Sequence, residues 1–384
     1  MRKASVLDRK RLLFVVTEDW YFISHRLPIA RAALAAGYEV LVATRLGEKA
    51  DAIVREGFVP IALKRMRRSG RNPFREVASI AELVTLYRSY RPSIVHHVAM
   101  KPVLYGSIAA RLAGVAAIVN NVAGLGFVFS SKAIYAQTLR CLIAPLLRYA
   151  LRQRRALTIV QNRDDAQVLT DDIGVAPEKI RLVKGSGVDL AQFSQIRRES
   201  SPPIVLLASR MIKEKGVEDF VRAAAQLRKK NAAARFVLAG APDSENPHSI
   251  PEAVLRQYHD DGLVEWWGHR DNIPEIIRAA AIVCLPTTYG EGIPKTLIEA
   301  AAGECPIVTY DVPGCREIVA DGVNGMLVPA GDVGRLVEAI AQLLADPGQR
   351  RRMGAQGRRL VQAEFSQEIV VAQTLAIYSE LLAP

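Results

Sequence analysis

Short runs of apolar, often β-branched residues alternate along the whole chain with segments of helical periodicity. The thirteen runs that we interpret as strands are Leu12–Val16, Glu39–Ala43, Val59–Leu63, Ser93–His97, Ala117–Asn120, Leu157–Gln161, Arg181–Lys184, Ile204–Ala208, Arg235–Ala239, Leu263–Trp267, Ala281–Leu285, Pro306–Tyr310 and Met326–Val328. Continuous apolar runs are typical of strands that are buried on both faces. Helical segments such as His25–Ala36 and Glu76–Tyr90 separate most of them. This alternation predicts an α/β fold in which helices cover both faces of parallel sheets.

A polar segment from Lys184 to Pro203 divides the pattern into two halves. It contains two glycines and two adjacent prolines, which are typical of a linker. We therefore predict two doubly wound, Rossmann-like domains, residues 1–185 and residues 203–365, and expect the final helix, 366–384, to pack back on the first domain. Ligands of such sheets bind at the carboxyl ends of the strands, so the two domains are expected to face a substrate cleft.

The composition indicates a globular protein. Hydrophobic residues make up 50% and charged residues 23% of the 384 positions, which is ordinary for globular chains, and no apolar stretch reaches the roughly 18 residues of a membrane span. The four cysteines, Cys141, Cys284, Cys305 and Cys315, show neither a CxxC pair nor Cys/His ligand spacing. We expect buried thiols in a protein of the cytoplasm or of the inner face of the cell membrane.

Charge is distributed unevenly between the two halves. Residues 1–200 carry 32 Lys and Arg against 16 Asp and Glu, a net charge of +16, whereas residues 201–384 carry 19 against 23, a net charge of −4. No acidic residue lies between Glu82 and Asp164, and a basic cluster spans Lys64–Arg71. The first half is therefore expected to face an anionic partner, for which a membrane surface, a phosphorylated substrate and nucleic acid are the candidates.

Two glutamates stand eight positions apart near the end of the second half. Glu291 lies in a glycine-containing turn after the apolar run Ala281–Leu285, and Glu299 lies inside the helix that is predicted next. Pro294 suits the first turn of that helix, where the missing N–H costs nothing. The free backbone N–H groups of a helix start attract an anion such as a diphosphate. One carboxylate is then placed near that anion, and the other about 9 Å further along the helix axis.

A basic loop in the same half completes this pattern. Arg210 follows the predicted strand Ile204–Ala208, and Lys215 precedes the next helix. Arginine grips phosphate oxygens with a planar fork, and lysine acts as a movable point charge. The two cations suit a diphosphate, and the two carboxylates suit hydroxyl groups on either side of it. A ligand that combines these features is a nucleotide diphosphate sugar.

These residues resemble the donor site of retaining GT-B glycosyltransferases of family 4. The similarity extends over nearly the whole second half, with further pieces at Gly187-Val188-Asp189, Gly240, Gly268 and Asp321–Val328. It implies a GT-B architecture in which Arg210 and Lys215 bind the donor diphosphate. It also implies that Glu291 faces the transferred sugar and that Glu299 binds the ribose hydroxyls. The donor-binding residues that the resemblance indicates are Gly290, Gly292, Ile293, Pro294 and Glu299, beside the catalytic Arg210, Lys215 and Glu291.

No Asp-x-Asp triplet occurs in the chain. We therefore expect transfer that needs neither a metal ion nor a cofactor, with cationic side chains and helix N-termini stabilising the leaving diphosphate. The donor is expected to be a UDP-linked sugar, although the sequence leaves the nucleotide and the sugar open.

The first half resembles one subgroup of this family. Ser24-His25-Arg26-Leu27-Pro28, Ile94–His97 and Met100–Ser107 are similar to enzymes that add N-acetylhexosamine or related sugars to polyprenyl-diphosphate-linked intermediates of surface polysaccharide assembly. The acceptor-binding residues expected from this similarity are His25, Arg26, His97 and Lys101. It leaves open which imidazole reaches the reacting sugar. Ser24 is a plausible N-cap, which would place His25 at a helix start.

The predicted helix Lys132–Arg154 carries arginines beside leucines. It is either an ordinary packing helix or one that lies along anionic lipid head groups, and a lipid-linked acceptor favours the second reading. The competing functions are a GT-B sugar-nucleotide epimerase or phosphorylase, a glycosyltransferase with a soluble acceptor, and a basic nucleic-acid-binding protein. The last of these lacks any recognisable nucleic-acid-binding module, so no nucleic acid is expected as a partner.

Overall fold

A computed structural model describes residues 10–68, 72–125, 134–288 and 290–383. Arg71, Lys132 and the side chain of Cys141 lie outside the described part of the chain. The chain forms two compact units, one made of the residues up to Ser186 together with those from Glu368 onward, and the other of Gly187–Gln367. Each unit has its own parallel sheet, so both have the Rossmann-like α/β architecture that the sequence predicts.

The first unit contains a seven-stranded sheet. Its strands are β1 (Arg11–Glu18), β2 (Glu39–Arg45), β3 (Val59–Ala62), β4 (Ile94–Val98), β5 (Ala117–Val122), β6 (Ala156–Val160) and β7 (Ile180–Leu182). They lie in the order β3-β2-β1-β4-β5-β6-β7, and every neighbouring pair is parallel. The strand order changes direction between β1 and β4, where doubly wound sheets bind their ligands.

Helices cover both faces of this sheet. They are α1 (Asp19–His25), α2 (Leu27–Ala35), α3 (Ala50–Arg55), α4 (Pro73–Tyr90), α5 (Met100–Ala113), α6 (Ile134–Leu151) and α7 (Arg163–Asp171). Alternate residues of each strand point to opposite faces, so Phe14 and Ile94 belong to one buried cluster, and Val15 and Val95 to another.

The second unit contains a six-stranded parallel sheet. Its strands are β8 (Ile204–Ala208), β9 (Arg235–Ala239), β10 (Glu265–Trp266), β11 (Ala280–Leu285), β12 (Ile307–Tyr310) and β13 (Gly325–Val328). The order is β10-β9-β8-β11-β12-β13, and it changes direction between β8 and β11. The helices are α8 (Val217–Lys229), α9 (Glu252–Asp260), α10 (Ile273–Ala279), α11 (Lys295–Ala302), α12 (Cys315–Ile318), α13 (Val333–Ala345) and α14 (Pro347–Glu364).

The last helix, α15 (Gln367–Leu382), returns to the first unit. Val370, Ile377 and Tyr378 of this helix are buried in the same cluster as Phe14. The Tyr378 hydroxyl lies 2.6 Å from Nδ1 of His96 on β4, and the His96 ring stacks on Phe14. The helix therefore supplies part of the core of the first unit.

Each of the thirteen predicted strands overlaps a strand of the structure. The helix predicted over His25–Ala36 corresponds to α2, except that α2 begins at Leu27 and ends at Ala35. His25 belongs instead to the preceding helix α1, which meets α2 at Arg26, where φ is −122° and ψ is −12°. Cys284, Cys305 and Cys315 are buried free thiols. Within the described ranges, no helix is both long and apolar enough to cross a membrane.

Candidate functional site

The donor-site candidates lie on two loops of the second unit. Arg210 and Lys215 follow β8, whereas Glu291 and Pro294 follow β11. The two strands are neighbours, paired through Val205 and Ile282, and the strand order changes direction between them. Arg210, Lys215 and Glu291 therefore lie on loops at the position where a doubly wound sheet binds its ligand.

Lys215 and Glu291 form a two-pronged ion pair. Lys215 ends the short 3-10 turn Lys213–Lys215, and its Nζ lies 2.5 Å and 2.6 Å from the two carboxylate oxygens of Glu291. Only 10% of the lysine side chain and 18% of the glutamate side chain are exposed. The Thr287 hydroxyl donates a longer hydrogen bond of 3.3 Å to the same carboxylate. Lys215, which is expected to bind the donor diphosphate, and Glu291, which is expected to face the transferred sugar, are thus held together by their opposite charges.

Arg210 is positioned by an acidic residue that the sequence reasoning did not identify. Its Nη1 donates to Oδ2 of Asp243 over 2.6 Å, and 40% of the arginine side chain is exposed. The Asp243 backbone N–H donates to the Ser249 hydroxyl, which holds the loop after β9 in place. Asp243 follows the carboxyl end of β9, just as Arg210 follows the carboxyl end of β8. This position after a strand is the feature of the sequence by which Asp243 could have been predicted.

Helix α11 begins one residue later than Pro294. Pro294 is the N-cap with φ −60° and ψ 119°, so its expected position inside the first turn is wrong. Its carbonyl accepts the N–H of Leu297 at 3.0 Å. The hydroxyl of Thr296 donates to the Ala208 carbonyl at the end of β8 over 2.9 Å. The start of α11, preceded by the buried Ile293, is therefore fastened to the strand that leads into Arg210.

Glu299 lies one turn into α11. Its carboxylate is 3.2 Å from Nζ of Lys295, and only 14% of its side chain is exposed. Burial raises the pKa of the Glu299 carboxyl above its ordinary value, and the Lys295 ammonium acts in the opposite direction. A carboxylate held in this way accepts hydrogen bonds from neutral donors such as hydroxyl groups.

Glycines allow the two loops to approach each other. Gly216 follows Lys215 with φ +73°, and a Cβ there would lie 1.9 Å from the Pro286 carbonyl oxygen. Gly314, which has φ +81°, packs on the turn Glu291–Gly292, and its Cβ would lie 1.5 Å from the Gly292 carbonyl oxygen. The sequence reasoning missed Gly314 because the contact joins segments that are distant along the chain.

His25 and Arg26 occupy the junction between α1 and α2. His25 is the last residue of α1 and stacks on Tyr21, with the ring centroids 4.1 Å apart. The expected helix-start position of His25 is therefore wrong. The Arg26 side chain is buried, with 1% exposure. Its burial lowers the pKa of the guanidinium, which Tyr21 and Tyr378 partly offset.

His97 is part of the interior of the first unit. Its Nδ1 lies 2.8 Å from Oδ1 of Asn120, and its Nε2 lies 2.9 Å from the Tyr87 hydroxyl. The imidazole packs on Gly106 of α5, where a Cβ would lie 2.3 Å from Nε2. Burial lowers the pKa of His97 to about 4. Both ring nitrogens are occupied by protein groups, so the expected acceptor contact does not fit this geometry.

Lys101 lies at the start of α5 and is ion-paired. Its Nζ donates to the Glu76 carboxylate on α4 over 2.8 Å and lies 6.0 Å from the Tyr105 ring centroid. An acceptor phosphate at this position has to share the lysine with Glu76.

The described residues contain no cluster of three or more His, Cys, Asp or Glu side chains arranged for a metal ion. The donor-site candidates comprise two cations, two partly buried carboxylates and one helix N-terminus.

Two family models match the chain. Residues 11–162 match the model described as glycosyl transferase 4-like, and residues 189–360 match the model for glycosyl transferases group 1. The second match contains all of the donor-site candidates, and the first contains all of the acceptor-site candidates.

Two curated relatives are similar over much of their length. The N,N'-diacetylbacillosaminyl-diphospho-undecaprenol alpha-1,3-N-acetylgalactosaminyltransferase of Campylobacter jejuni is 26% identical over 382 residues, which is 94% of this chain and 98% of that protein. The UDP-Gal:alpha-D-GlcNAc-diphosphoundecaprenol alpha-1,3-galactosyltransferase of Escherichia coli is 23% identical over 309 residues, covering 77% of this chain and 76% of the relative.

Solved structures share the fold. HepE from Anabaena, crystallised with UDP and glucose, superimposes with a TM-score of 0.74 at 18% identity, covering 97% of this chain and 100% of that one. At this identity the likeness concerns the arrangement of helices and strands, which is that of the GT-B class.

Proposed function

This chain belongs to the group 1 glycosyltransferases, and on that basis we propose that it transfers a hexosyl group from a UDP-linked sugar to a polyprenyl-diphosphate-linked saccharide. We propose further that the transfer retains the anomeric configuration, needs no metal ion and most naturally moves an N-acetylhexosamine. The observation that carries the proposal is the gathering of Arg210, Lys215 and Glu291 on the loops after β8 and β11.

The donor diphosphate is assigned to Arg210, Lys215 and the start of α11. An ammonium group has three N–H donors, and Lys215 directs its Nζ at two oxygens of Glu291, which leaves a third donor for a phosphate oxygen. Arg210 supplies a half-exposed guanidinium, and the first N–H groups of α11 add the positive end of its dipole. Fixed donors of this kind stabilise the negative charge of the leaving phosphate by several kcal/mol.

The two glutamates are assigned to the two sugars of the donor. Glu299, one turn inside α11, accepts hydrogen bonds from the ribose hydroxyls, since Lys295 keeps its carboxylate oriented. Glu291 contacts the transferred sugar. Its ion pair with Lys215 makes it a poor nucleophile, which disfavours the covalent intermediate of a two-carboxylate retaining mechanism.

The anomeric configuration is retained because the acceptor oxygen attacks the anomeric carbon on the same face from which the phosphate departs. The bond between the anomeric carbon and the β-phosphate oxygen breaks, the acceptor oxygen forms its bond on the same face, and the departing phosphate oxygen takes the acceptor proton. Arg210 and Lys215 hold that phosphate beside the sugar throughout, so the proton has an acceptor without a second carboxylate.

The acceptor class is taken from the relatives. Both curated relatives named above carry a diphosphoundecaprenol-linked sugar in their names. Of the four acceptor-site candidates, Arg26 and His97 are buried, whereas Lys101 and His25 are partly exposed. We assign the acceptor contact to Lys101 and His25.

A lipid-linked acceptor requires that the enzyme reach a membrane surface. Phe74 and Val77, on the first turn of α4, are 85% and 66% exposed. The basic segment that includes Lys64 and Arg65 is held against this helix, because both backbone N–H groups donate to Glu82 at 2.8 Å and 3.0 Å. Exposed apolar side chains on the same helix that anchors two exposed cationic residues suit an anionic bilayer surface, and we assign membrane contact to this patch, Lys64–Arg65 with Phe74 and Val77.

The proposal is tested by incubating the purified chain, with EDTA present, with UDP-GalNAc, UDP-GlcNAc, UDP-galactose or UDP-glucose and a polyprenyl-diphosphate-linked monosaccharide. We expect one donor to give a lipid-linked disaccharide whose new linkage has the anomeric configuration of the donor, read from the NMR coupling of the anomeric proton. A product of inverted configuration, or loss of turnover in EDTA, contradicts the mechanism. Conversion of the donor in the absence of an acceptor supports an epimerase instead.

A further inference from the structure

The second unit contains a cavity of about 600 Å³ that lies away from the donor-site candidates. Its wall includes Arg197, Arg351 and Arg358. Arg197 donates to the carbonyls of Ala280 and Ala281, the first residues of β11. The cavity is therefore at the amino end of β11, whereas Glu291 and Pro294 follow its carboxyl end. A volume of this size is in the range of small-molecule sites.

Two of the arginines face the cavity without a carboxylate partner in the described residues. Arg358 donates only to carbonyl oxygens, at 2.6 Å to Ala302 and at longer range to Phe193 and Leu190. Arg351 is exposed and precedes Arg358 by seven positions on α14, so both lie on one face of that helix.

The third arginine, Arg197, is only partly neutralised. Arg197 lies 3.0 Å from Glu199, which also binds Arg350 at 2.7 Å. Two arginines thus share one carboxylate, and this group adds positive charge to the wall. Guanidinium groups of this kind are suited to the oxygens of a phosphate.

Glu304 contributes the one further carboxylate of the cavity wall. Glu304 has φ +55°, a backbone conformation that residues other than glycine rarely adopt. Its carbonyl packs on Gly354, where a Cβ would lie 1.8 Å from that oxygen. Gly354 lies between Arg351 and Arg358 on the same face of α14. The Glu304 backbone is therefore packed on the part of α14 that carries Arg351 and Arg358, and all three residues line the same cavity.

We propose that this cavity binds a sugar phosphate, with the phosphate on Arg351 and Arg358 and the sugar hydroxyls on Glu304. The arginines account for the anionic group, and the exposed carboxylate of Glu304 accounts for a ligand that also carries hydroxyl donors. The aromatic ring of Phe193, in the same wall, offers an apolar surface to the face of a sugar. The site lies beyond the donor and acceptor sites of the proposed reaction and does not depend on them.

The test is calorimetric titration of the full chain with glucose 6-phosphate and with inorganic phosphate, each with and without saturating UDP. We expect saturable binding of both that UDP leaves unchanged, with glucose 6-phosphate the tighter ligand. Arg351→Gln is expected to weaken both about tenfold, the loss of one charge-assisted contact, and Glu304→Gln to weaken glucose 6-phosphate alone. Arg359→Gln, an exposed neighbour on α14 outside the cavity wall, is the matched control and should bind normally.

Several results overturn the proposal. Absence of saturable binding, competition by UDP, or an equal loss of affinity in Arg359→Gln each exclude the site. Equal affinities for the two probes, or no effect of Glu304→Gln on glucose 6-phosphate, exclude a sugar phosphate as its ligand. Because Arg351 and Glu304 are exposed, these variants are expected to fold, and thermal unfolding of each variant checks this before titration.

Discussion

Lys215 directs its ammonium group at both carboxylate oxygens of Glu291, at 2.5 Å and 2.6 Å, although the two residues lie 76 positions apart. The pair joins the loop after β8 to the loop after β11, and both side chains are largely buried. Removing one partner of such a pair leaves a buried charge without compensation, which costs more free energy than removing both.

We therefore expect Lys215→Ala to lower the free energy of unfolding by about 3 kcal/mol, and the double variant Lys215→Ala/Glu291→Gln to recover most of that loss. Both variants should lose glycosyl transfer, since the phosphate contact is absent in each. Urea unfolding followed by circular dichroism gives the stabilities. A double variant that is no more stable than Lys215→Ala would show that the pair does not couple the loops.

Substitutions of Arg210 and Asp243 separate the effect of the Arg210 charge from the effect of its orientation by Asp243. Arg210→Ala removes a half-exposed cation, so folding should be unchanged while turnover falls by about 100-fold or more, the loss of one transition-state contact. Asp243→Asn keeps the guanidinium and should mainly raise KM for the donor. Steady-state kinetics with thermal unfolding distinguish these effects.

The matched control for Arg210 is Arg335→Ala. Arg335 is 68% exposed and pairs with Glu338 on its own helix at 3.2 Å, so its removal should leave kinetics and stability unchanged. Near-normal turnover in a folded Arg210→Ala protein would remove Arg210 from the donor site.

Gly314 and Gly331 share a φ of +81° but differ in their surroundings. Alanine at either position costs about 1 kcal/mol from the backbone conformation alone. Only at Gly314 does the added Cβ collide with the Glu291–Gly292 turn. We expect Gly331→Ala to retain donor binding and Gly314→Ala to lose it, with a larger drop in Tm. Thermal shift with and without UDP measures both quantities, and equal behaviour of the two variants would contradict a role for that turn.

The buried histidines give the stability a defined pH dependence. Burial lowers the pKa of His96 well below its ordinary value and that of His97 to about 4. In the unfolded chain these two histidines take up protons as the pH falls below about 6.5, whereas in the folded chain they stay neutral. Protonation of the histidines therefore favours unfolding. Stability is therefore full above about pH 6.5 and falls as the pH drops toward 4, by up to about 1.4 kcal/mol per pH unit for each histidine.

Urea unfolding at pH 7.5, 6 and 5 measures this slope. His97→Gln should reduce it, whereas substitution of the exposed His269 to Gln should not. A slope that is unchanged in His97→Gln would show that His97 is not held neutral in the folded protein.

Membrane contact through the patch on α4 is tested by sedimentation with vesicles. Phe74→Ser should weaken binding to vesicles that contain phosphatidylglycerol, and Lys64→Gln/Arg65→Gln should weaken it by about 1 kcal/mol per charge. Val323→Ser removes a half-exposed apolar side chain from the second unit and serves as the control. If the control reduces binding as much as Phe74→Ser, the patch is not the contact.

The apolar pattern was sufficient to predict the thirteen strands of the described residues. Central strands such as β4 and β11 are buried throughout, and a strand that is buried on both faces has a continuous apolar sequence. The acceptor role of His97 came from the family resemblance, and the apolar pattern gave no reason to reject it. Within the strand Ile94–Val98 all five residues are buried, and nothing in the pattern distinguishes a histidine that faces a ligand from one that pairs with Asn120 and Tyr87.

The donor site was predictable as a set of residues but not as a set of contacts. Arg210, Lys215 and Glu291 each follow a strand end, which is a local property of the sequence. The pairing of Lys215 with Glu291, of Arg210 with Asp243 and of Gly314 with Gly292 joins separate strand–helix units, and such contacts depend on strand order. The helix start was misplaced because Ser24 looks like an N-cap, whereas the structure ends α1 at His25 and begins α2 at Leu27.

The return of α15 to the first unit has a consequence for how the protein is made. The second unit is one uninterrupted stretch of chain, so a ribosome can release it in full and it can fold while synthesis continues. The first unit lacks Tyr378, and with it the partner of His96, until the last helix has been translated. Its core is thus completed only after α15 has been synthesised, and a premature stop before α15 should spare the second unit but leave the first exposed to chaperones and proteases.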